Sequence, residues 1–173
     1  MTVHRRTELP QRPARGRLLV AEGVLAPTRA ALQSSSTTGR PDEGLVLWLG
    51  RTVDDTTVVL ACAAPRTTST YGSVSVDEST VGSVAAAGRT HGLGVIAQVH
   101  SHPGRDTRHS DGDDRLVLMP FESMFSVVVA DYGAGSVEPS GGAGLHQFQD
   151  GRWVQIANND ALIVVPALIT VTP

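Results

Sequence analysis

The stretch GVIAQVHSHP, residues 94–103, decides the fold and carries the first chemical signal. Its apolar run up to Val99 predicts a buried β-strand, and Pro103 ends that strand because proline cannot donate a ladder hydrogen bond. Residues two apart on a strand point to the same side, so His100 and His102 direct two imidazoles toward one point. Two histidines on one strand face can also be purely structural, and the pair alone does not choose between these interpretations.

A second polar group follows in the segment SDGD, residues 110–113. The pattern resembles a capping box, with Ser110 as N-cap and Asp113 at the third helical position. A helix that begins at Ser110 also projects Asp113 toward the end of the histidine strand, so capping and metal binding are compatible. Two imidazoles and one carboxylate suit Zn²⁺, and three protein ligands leave the open position that a catalytic zinc site needs. These residues alone leave two interpretations open, a purely structural capping role for Asp113 and a zinc site formed by His100, His102 and Asp113.

Strand and helix signals alternate irregularly along the rest of the chain. Residues 24–32 and 76–92 have helical spacing of apolar residues. The β-rich runs 44–49 and 57–63 predict one hairpin, and the Asp150-Gly151 turn predicts another. Further strands are predicted at 17–20, 94–100 and 125–130. These elements favour an α+β fold, or a three-layer α/β/α-like one, around a single mixed β-sheet flanked by helices.

The chain of 173 residues fits one domain with two extensions. Residues 1–16 are rich in Arg and Pro, and we predict a disordered lead. Residues 17–156 hold the predicted domain. Residues 157–173 form an apolar tail that we interpret as an extra strand or as a segment that docks a partner.

Composition excludes several classes of function. The net charge of −3 provides no basic face to neutralise phosphates, so we expect no nucleic-acid partner. A single cysteine cannot form an internal disulfide, which is typical of the cytoplasm. No secretion signal and no apolar window of membrane-spanning length is present, so we expect no membrane partner. The sequence does not predict the oligomeric state.

The pattern His100-x-His102-Pro103, six residues, then Ser110-x-x-Asp113 resembles the signature of the JAMM/MPN+ metalloproteases, with no position missing. The family also has an upstream glutamate on an apolar strand, which matches the segment EGLVLWLG, residues 43–50. One departure is that Gly44 directly follows the glutamate, whereas relatives usually place a glycine two residues later. The resemblance covers about residues 17 to 156.

This resemblance implies a cytidine-deaminase-like JAB/MPN architecture. It also implies that His100, His102 and Asp113 are the zinc ligands, and it gives roles to two further residues. Glu43 would be the general acid/base of peptide hydrolysis, and Ser110 would donate a hydrogen bond to the oxyanion of the tetrahedral intermediate. Three neighbours, His109, Asp111 and Asp114, are interpreted as solvated or as lying outside the ligand set.

Three functions follow for comparison. The resemblance implies a zinc-dependent metallopeptidase or isopeptidase that cuts after the C-terminal glycines of a ubiquitin-like or sulfur-carrier-like protein, in a compact bacterial stand-alone member. One alternative is a non-catalytic MPN-like scaffold or interaction module, for which the apolar tail is the supporting feature. The other is a zinc peptidase that acts on a cell-wall or phage-associated peptide, against which the lack of an export signal counts.

Overall fold

A computed structural model describes residues 10–37, 39–115 and 120–170 of the chain. It contains two α-helices, thirteen strands and several single turns of 3₁₀-helix within these ranges. In chain order the elements are β1 (Gln11–Arg12), β2 (Arg17–Ala21), α1 (Leu25–Gln33), β3 (Ser36–Thr37), β4 (Arg40–Pro41), β5 (Leu45–Val53), β6 (Thr56–Ala63), β7 (Thr68–Thr70), β8 (Ser73–Ser75), α2 (Glu78–Thr90), β9 (Gly94–Ser101), β10 (Phe125–Val129), β11 (Gly144–Gln149), β12 (Arg152–Ile156) and β13 (Leu162–Val165).

Nine of the described strands form one mixed sheet, in the order β1-β12-β11-β10-β9-β5-β6-β2-β13. β9 lies in the middle, antiparallel to β5 and parallel to β10. The hairpins β5–β6 and β11–β12 are antiparallel, as their sequences predict. Four other strands form two small sheets, β3–β4 and β7–β8. The predicted α+β fold around a single mixed sheet is therefore confirmed.

The two helices cover opposite faces of this sheet. Helix α1 packs on the face that carries Trp48, where the indole Nε1–H donates to Thr28 Oγ1 at 2.9 Å and both residues are fully buried. Leu49 is the next residue along β5 and so points the other way, toward Gly88 of α2. Helix α2 begins where Asp77 Oδ1 accepts a hydrogen bond from Thr80 N at 2.8 Å, an N-cap typical of aspartate.

The N-terminal segment differs from its prediction. Residues 10–16 are ordered, and the prediction of a disordered lead is wrong for them, whereas residues 1–9 lie outside the described residues. β1 pairs in parallel with β12. The side chain of Gln147 accepts from Arg15 N at 2.8 Å and donates to Arg15 O at 2.9 Å, and Gln149 Nε2 donates to Pro13 O at 3.0 Å. These buried amides attach the backbone on both sides of Ala14 to β11.

Two other segments form strands. The apolar tail contributes β13, which pairs in parallel with β2 at the edge of the sheet. The small residues of segment 69–75 favour a loop, but this prediction is wrong, because the segment lies within the short hairpin β7–β8. Among the described residues, neither helix has the length and apolar character needed to cross a membrane.

Candidate metal centre

The two histidines lie where the middle strand of the sheet ends. His100 is paired across β9 with Leu45 of β5 on one side and with Val128 of β10 on the other. His102 follows the last strand residue, and its backbone N donates to Val129 O at 2.9 Å, which extends the pairing with β10. The side chains lie two residues apart on one face of the sheet, 0% and 2% exposed. Both imidazoles are therefore held in place and shielded from solvent.

Asp113 completes a group of three. Its carboxylate faces both rings, with Oδ2 at 3.1 Å from His102 Nε2 and Oδ1 at 3.4 Å from His100 Nε2. One ligand atom from each of the three residues lies within 4.8 Å of the others. Asp113 is 4% exposed, so the whole group is buried. The structure thus brings together the three residues that the sequence predicted as metal ligands.

The donor atoms of this group fit a cation. His102 Nδ1 lies 2.7 Å from Asp106 O, and a carbonyl only accepts, so Nδ1 carries a proton and Nε2 faces the carboxylate. Within the described residues, His100 has no hydrogen-bond partner for either ring nitrogen although it is fully buried. Buried polar atoms without partners are costly. Two imidazole nitrogens and a carboxylate are ligands that divalent transition metals accept, so the group is placed to bind a metal ion.

The pKa shifts within the group also favour a bound cation. Burial opposes a charge on His102, but the hydrogen bond and the charge of Asp113 raise the pKa of this imidazole above its ordinary value of 6.5. Burial also opposes ionisation of Asp113, yet the nearby His100 and His102 hold the pKa of its carboxyl below the ordinary range. The carboxylate therefore carries a negative charge that either a proton on His102 or a bound cation can balance.

Ser110 and Asp113 form a reciprocal pair at the start of a turn. Ser110 N donates to Asp113 Oδ2 at 2.5 Å, and Asp113 N donates to Ser110 Oγ at 3.2 Å. This is the capping arrangement that the sequence suggests. The described turn is a single 3₁₀ turn at Asp113–Arg115. The helix predicted from Ser110 would continue into residues 116–119, which lie outside the described residues. Capping orients the same carboxylate that faces the histidines, so Asp113 can cap the turn and bind a metal at the same time.

Glu43 lies beside His102 at the entry to β5. Leu45 pairs with His100, so the antiparallel register places Glu43 opposite His102 on the same face. The backbone is fixed by Glu43 N, which donates to Thr70 O at 3.0 Å. The side chain is 5% exposed, and its charge contributes to the raised pKa of His102. The structure therefore places the predicted acid/base next to the group that is placed to bind a metal ion.

The glycine that follows Glu43 has a packing reason. A Cβ at Gly44 would lie 2.8 Å from Leu32 O and 2.9 Å from Leu32 Cα, both backbone atoms at the end of α1. Gly44 N also donates to Ser101 Oγ at 2.9 Å, and Ser101 N donates to Gly44 O at 3.0 Å. The departure from the usual glycine position thus lets α1 approach the strand while β5 and β9 hold Glu43.

His109 lies inside the protein, next to the candidate ligands. Of its two interpretations, solvated is wrong, because the side chain is fully buried against His100, with ring centroids 5.5 Å apart. The other interpretation, a place outside the ligand set, agrees with its position. Asp114 lies 3.2 Å from its Nδ1, whereas Asp111 is exposed. His109 also stacks on His146, whose pKa is lowered well below the ordinary value, first by burial and then by nearby histidines. The loop that carries His109 has no periodicity, so no sequence pattern could have placed the residue inside.

Comparison with known proteins agrees with this geometry. A family model described as prokaryotic homologs of the JAB domain matches residues 25–138, which include Glu43, Ser110 and the three ligands. Among solved structures, the solution structure of protein DSY2949 from Desulfitobacterium hafniense is similar, with a TM-score of 0.66 at 18% identity over 87% of this chain and 94% of that one. At this identity the likeness shows the fold alone. No curated protein matches the chain. Because the family model covers well over half of the sequence, the chain belongs to the prokaryotic JAB-domain family.

Proposed function

We propose that this chain is a zinc-dependent metallopeptidase or isopeptidase that acts in the cytoplasm. The observation that carries the proposal is the buried group of His100, His102 and Asp113, with ligand atoms within 4.8 Å of one another, beside the buried carboxyl group of Glu43. A purely structural polar cluster would pair its nitrogens internally, whereas His100 has no hydrogen-bond partner among the described residues. The choice of zinc follows from two imidazoles and one carboxylate in a buried site.

A bound zinc ion would supply Lewis acidity, polarising a carbonyl oxygen and lowering the pKa of water. His100, His102 and Asp113 would hold this ion. Two neutral imidazoles and one carboxylate leave the centre with a net positive charge. Asp106 O accepts from Nδ1 of His102 at 2.7 Å, which orients the ring so that Nε2 is directed into the site.

The remaining residues of the site move or donate protons. Glu43 would take a proton from the attacking water and return it to the leaving amine, because its side chain lies on the same face as His102 and is shielded from solvent. Ser110 Oγ accepts from Asp113 N, which leaves its own proton to donate to an oxyanion. The hydrolysis therefore needs no covalent intermediate on the protein.

We propose a substrate with C-terminal glycines, in a ubiquitin-like or sulfur-carrier-like protein. This part rests on the family and not on the geometry, since a fold can host many substrates. The backbone around the site is compact. Only the short hairpin β7–β8 joins β6 to α2, which leaves little room for insertions and fits a stand-alone enzyme.

The test measures zinc first and turnover second. The wild-type chain is analysed for zinc and then incubated with a fusion linked through Gly-Gly, beside the variants E43Q and E78Q. Glu78 is an exposed glutamate on α2 and serves as the matched control. We expect E43Q to keep zinc and lose about 10²–10⁴-fold in rate, as expected for removal of a general acid/base, while E78Q matches wild type. An unchanged rate in E43Q would contradict the assignment, and zinc without turnover on any such fusion would favour a scaffold or a different peptide substrate.

A further inference from the structure

His109 lies at the centre of a row of buried polar side chains beside the metal centre. Gln98 of β9, Ser126 of β10 and His146 of β11 are neighbours in register across three strands. All three side chains are fully buried. His109 comes from the loop that joins His102 to Ser110 and packs against this row, with its ring centroid 4.0 Å from that of His146. The row is on the ligand face, because Gln98 precedes His100 by two residues on the same strand.

The donors and acceptors in the hydrogen bonds around His109 can be assigned. A carboxylate only accepts, so His109 Nδ1–H donates to Asp114 Oδ1, at 3.2 Å. This leaves Nε2 as an acceptor for the hydroxyl of Ser126, at 2.9 Å. The same hydroxyl oxygen accepts from Gln98 Nε2 at 3.1 Å. A continuous chain of donors and acceptors thus runs from β9 through β10 to the ligand turn.

His109 also holds both ends of the turn that carries Ser110 and Asp113. Its backbone N–H lies 3.3 Å from Nε2 of His146, which fixes the start of the turn to β11. Its side chain contacts Asp114, which fixes the end. Ser110 and Asp113 lie between these two points. The same residue is therefore joined to three strands of the sheet and to both sides of the segment that supplies the third ligand.

We infer that His109 is a positioning residue that sets the distance between the two histidine ligands on β9 and the Ser110–Asp113 turn. The inference rests on the proposed metal function. Without the imidazole, the turn would lose its hydrogen bond to Ser126, and Asp113 would keep only its capping hydrogen bonds and its contacts with His100 and His102. Residues that orient metal ligands without binding the metal themselves typically contribute about 10–100-fold in metal affinity. His109 lies outside the group of three ligands and acts through the turn that carries Ser110 and Asp113.

The experiment compares wild type with H109L, S126A and the control H91L. His91 is an exposed histidine just after α2, so H91L makes the same chemical change away from the site. Each protein is purified without metal and checked for a cooperative thermal transition. Zinc affinity is measured by competition with a chromophoric chelator, and the visible spectrum of the cobalt-substituted protein reports ligand geometry. Hydrogen exchange of residues 104–115 is measured in the metal-free proteins.

We expect H109L to bind zinc about 10–100-fold more weakly, to change the cobalt spectrum, and to exchange faster over residues 104–115. H91L should match wild type in all three measurements. Wild-type zinc affinity in a folded H109L would overturn the inference. If H109L does not fold, S126A tests the inference instead, because it removes only the hydroxyl that holds the imidazole. We expect S126A to bind zinc about fivefold more weakly, from the loss of one hydrogen bond. Unchanged zinc binding in S126A would overturn the inference. If wild type binds no zinc, the proposed function fails, and the exchange comparison in the metal-free proteins alone decides whether His109 holds the turn.

Discussion

Replacing Gly144 by alanine should disturb the metal centre from outside it. A Cβ at this position would lie 1.8 Å from Thr107 O, a backbone atom of the loop between the ligands, and 3.0 Å from His146 Cε1. Reaching even the shortest distance that such a contact tolerates, 3.0 Å, requires a backbone shift of about 1.2 Å. Asp106 O is the acceptor for His102 Nδ1 at 2.7 Å, and Asp106 is the residue before Thr107. The shift therefore loosens the hydrogen bond that orients a ligand.

Overpacking of this kind costs about 1–3 kcal/mol, or roughly 2–12 °C in Tm for a chain of this size. We expect G144A to show this loss in metal-free thermal denaturation and to bind zinc more weakly than wild type. The control is G94A, because a Cβ at Gly94 meets no atom within 4 Å and its backbone is not in the left-handed region. G94A should shift stability by less than about 0.5 kcal/mol. Wild-type Tm and zinc affinity in G144A would refute the close approach of Thr107 to β11.

Three further predictions concern stability and pH. T28V should lower the free energy of unfolding by about 1–3 kcal/mol in denaturant titrations, because it leaves the buried indole N–H of Trp48 without its partner; equal stability would contradict this. D77A should be less stable than wild type at neutral pH, because hydrogen bonds from Ser79 and Thr80 hold the pKa of Asp77 at about 2 against an ordinary 3.8. The difference in the free energy of unfolding should narrow as the pH falls below about 4 toward 2. A difference that does not change with pH would contradict this. Zinc affinity should fall as the pH is lowered from about 8 to 6, because protons compete for His102, whose pKa is raised in the metal-free site. A zinc affinity that stays constant over this pH range in calorimetric titrations would contradict this.

The elements with strong local patterns could be predicted from the sequence. The apolar run before His100 predicted the middle strand, and the helical spacing of apolar residues over 76–92 predicted α2. The Asp150-Gly151 turn predicted the β11–β12 hairpin, and Asp150 and Gly151 both have positive φ. These features depend on residues close in the chain, which is why sequence spacing was sufficient.

The features that depend on distant residues could not be predicted. The order of the N-terminal segment depends on Gln147 and Gln149, more than 130 residues away. The burial of His109 depends on three strands that meet only in the folded sheet. The packing role of Gly44 depends on where α1 ends. In each case the local sequence is polar or small, and only tertiary contacts decide whether such residues face solvent.

The most direct test of the account is the zinc content of metal-saturated, desalted wild type beside H102A, measured by elemental analysis with cooperative unfolding as a control for folding. His102 is chosen because its Nε2 lies 3.1 Å from the carboxylate of Asp113. We predict one zinc ion per wild-type chain and none in folded H102A. Equal, stoichiometric zinc in the two proteins would show that the ion is held elsewhere and would contradict the account.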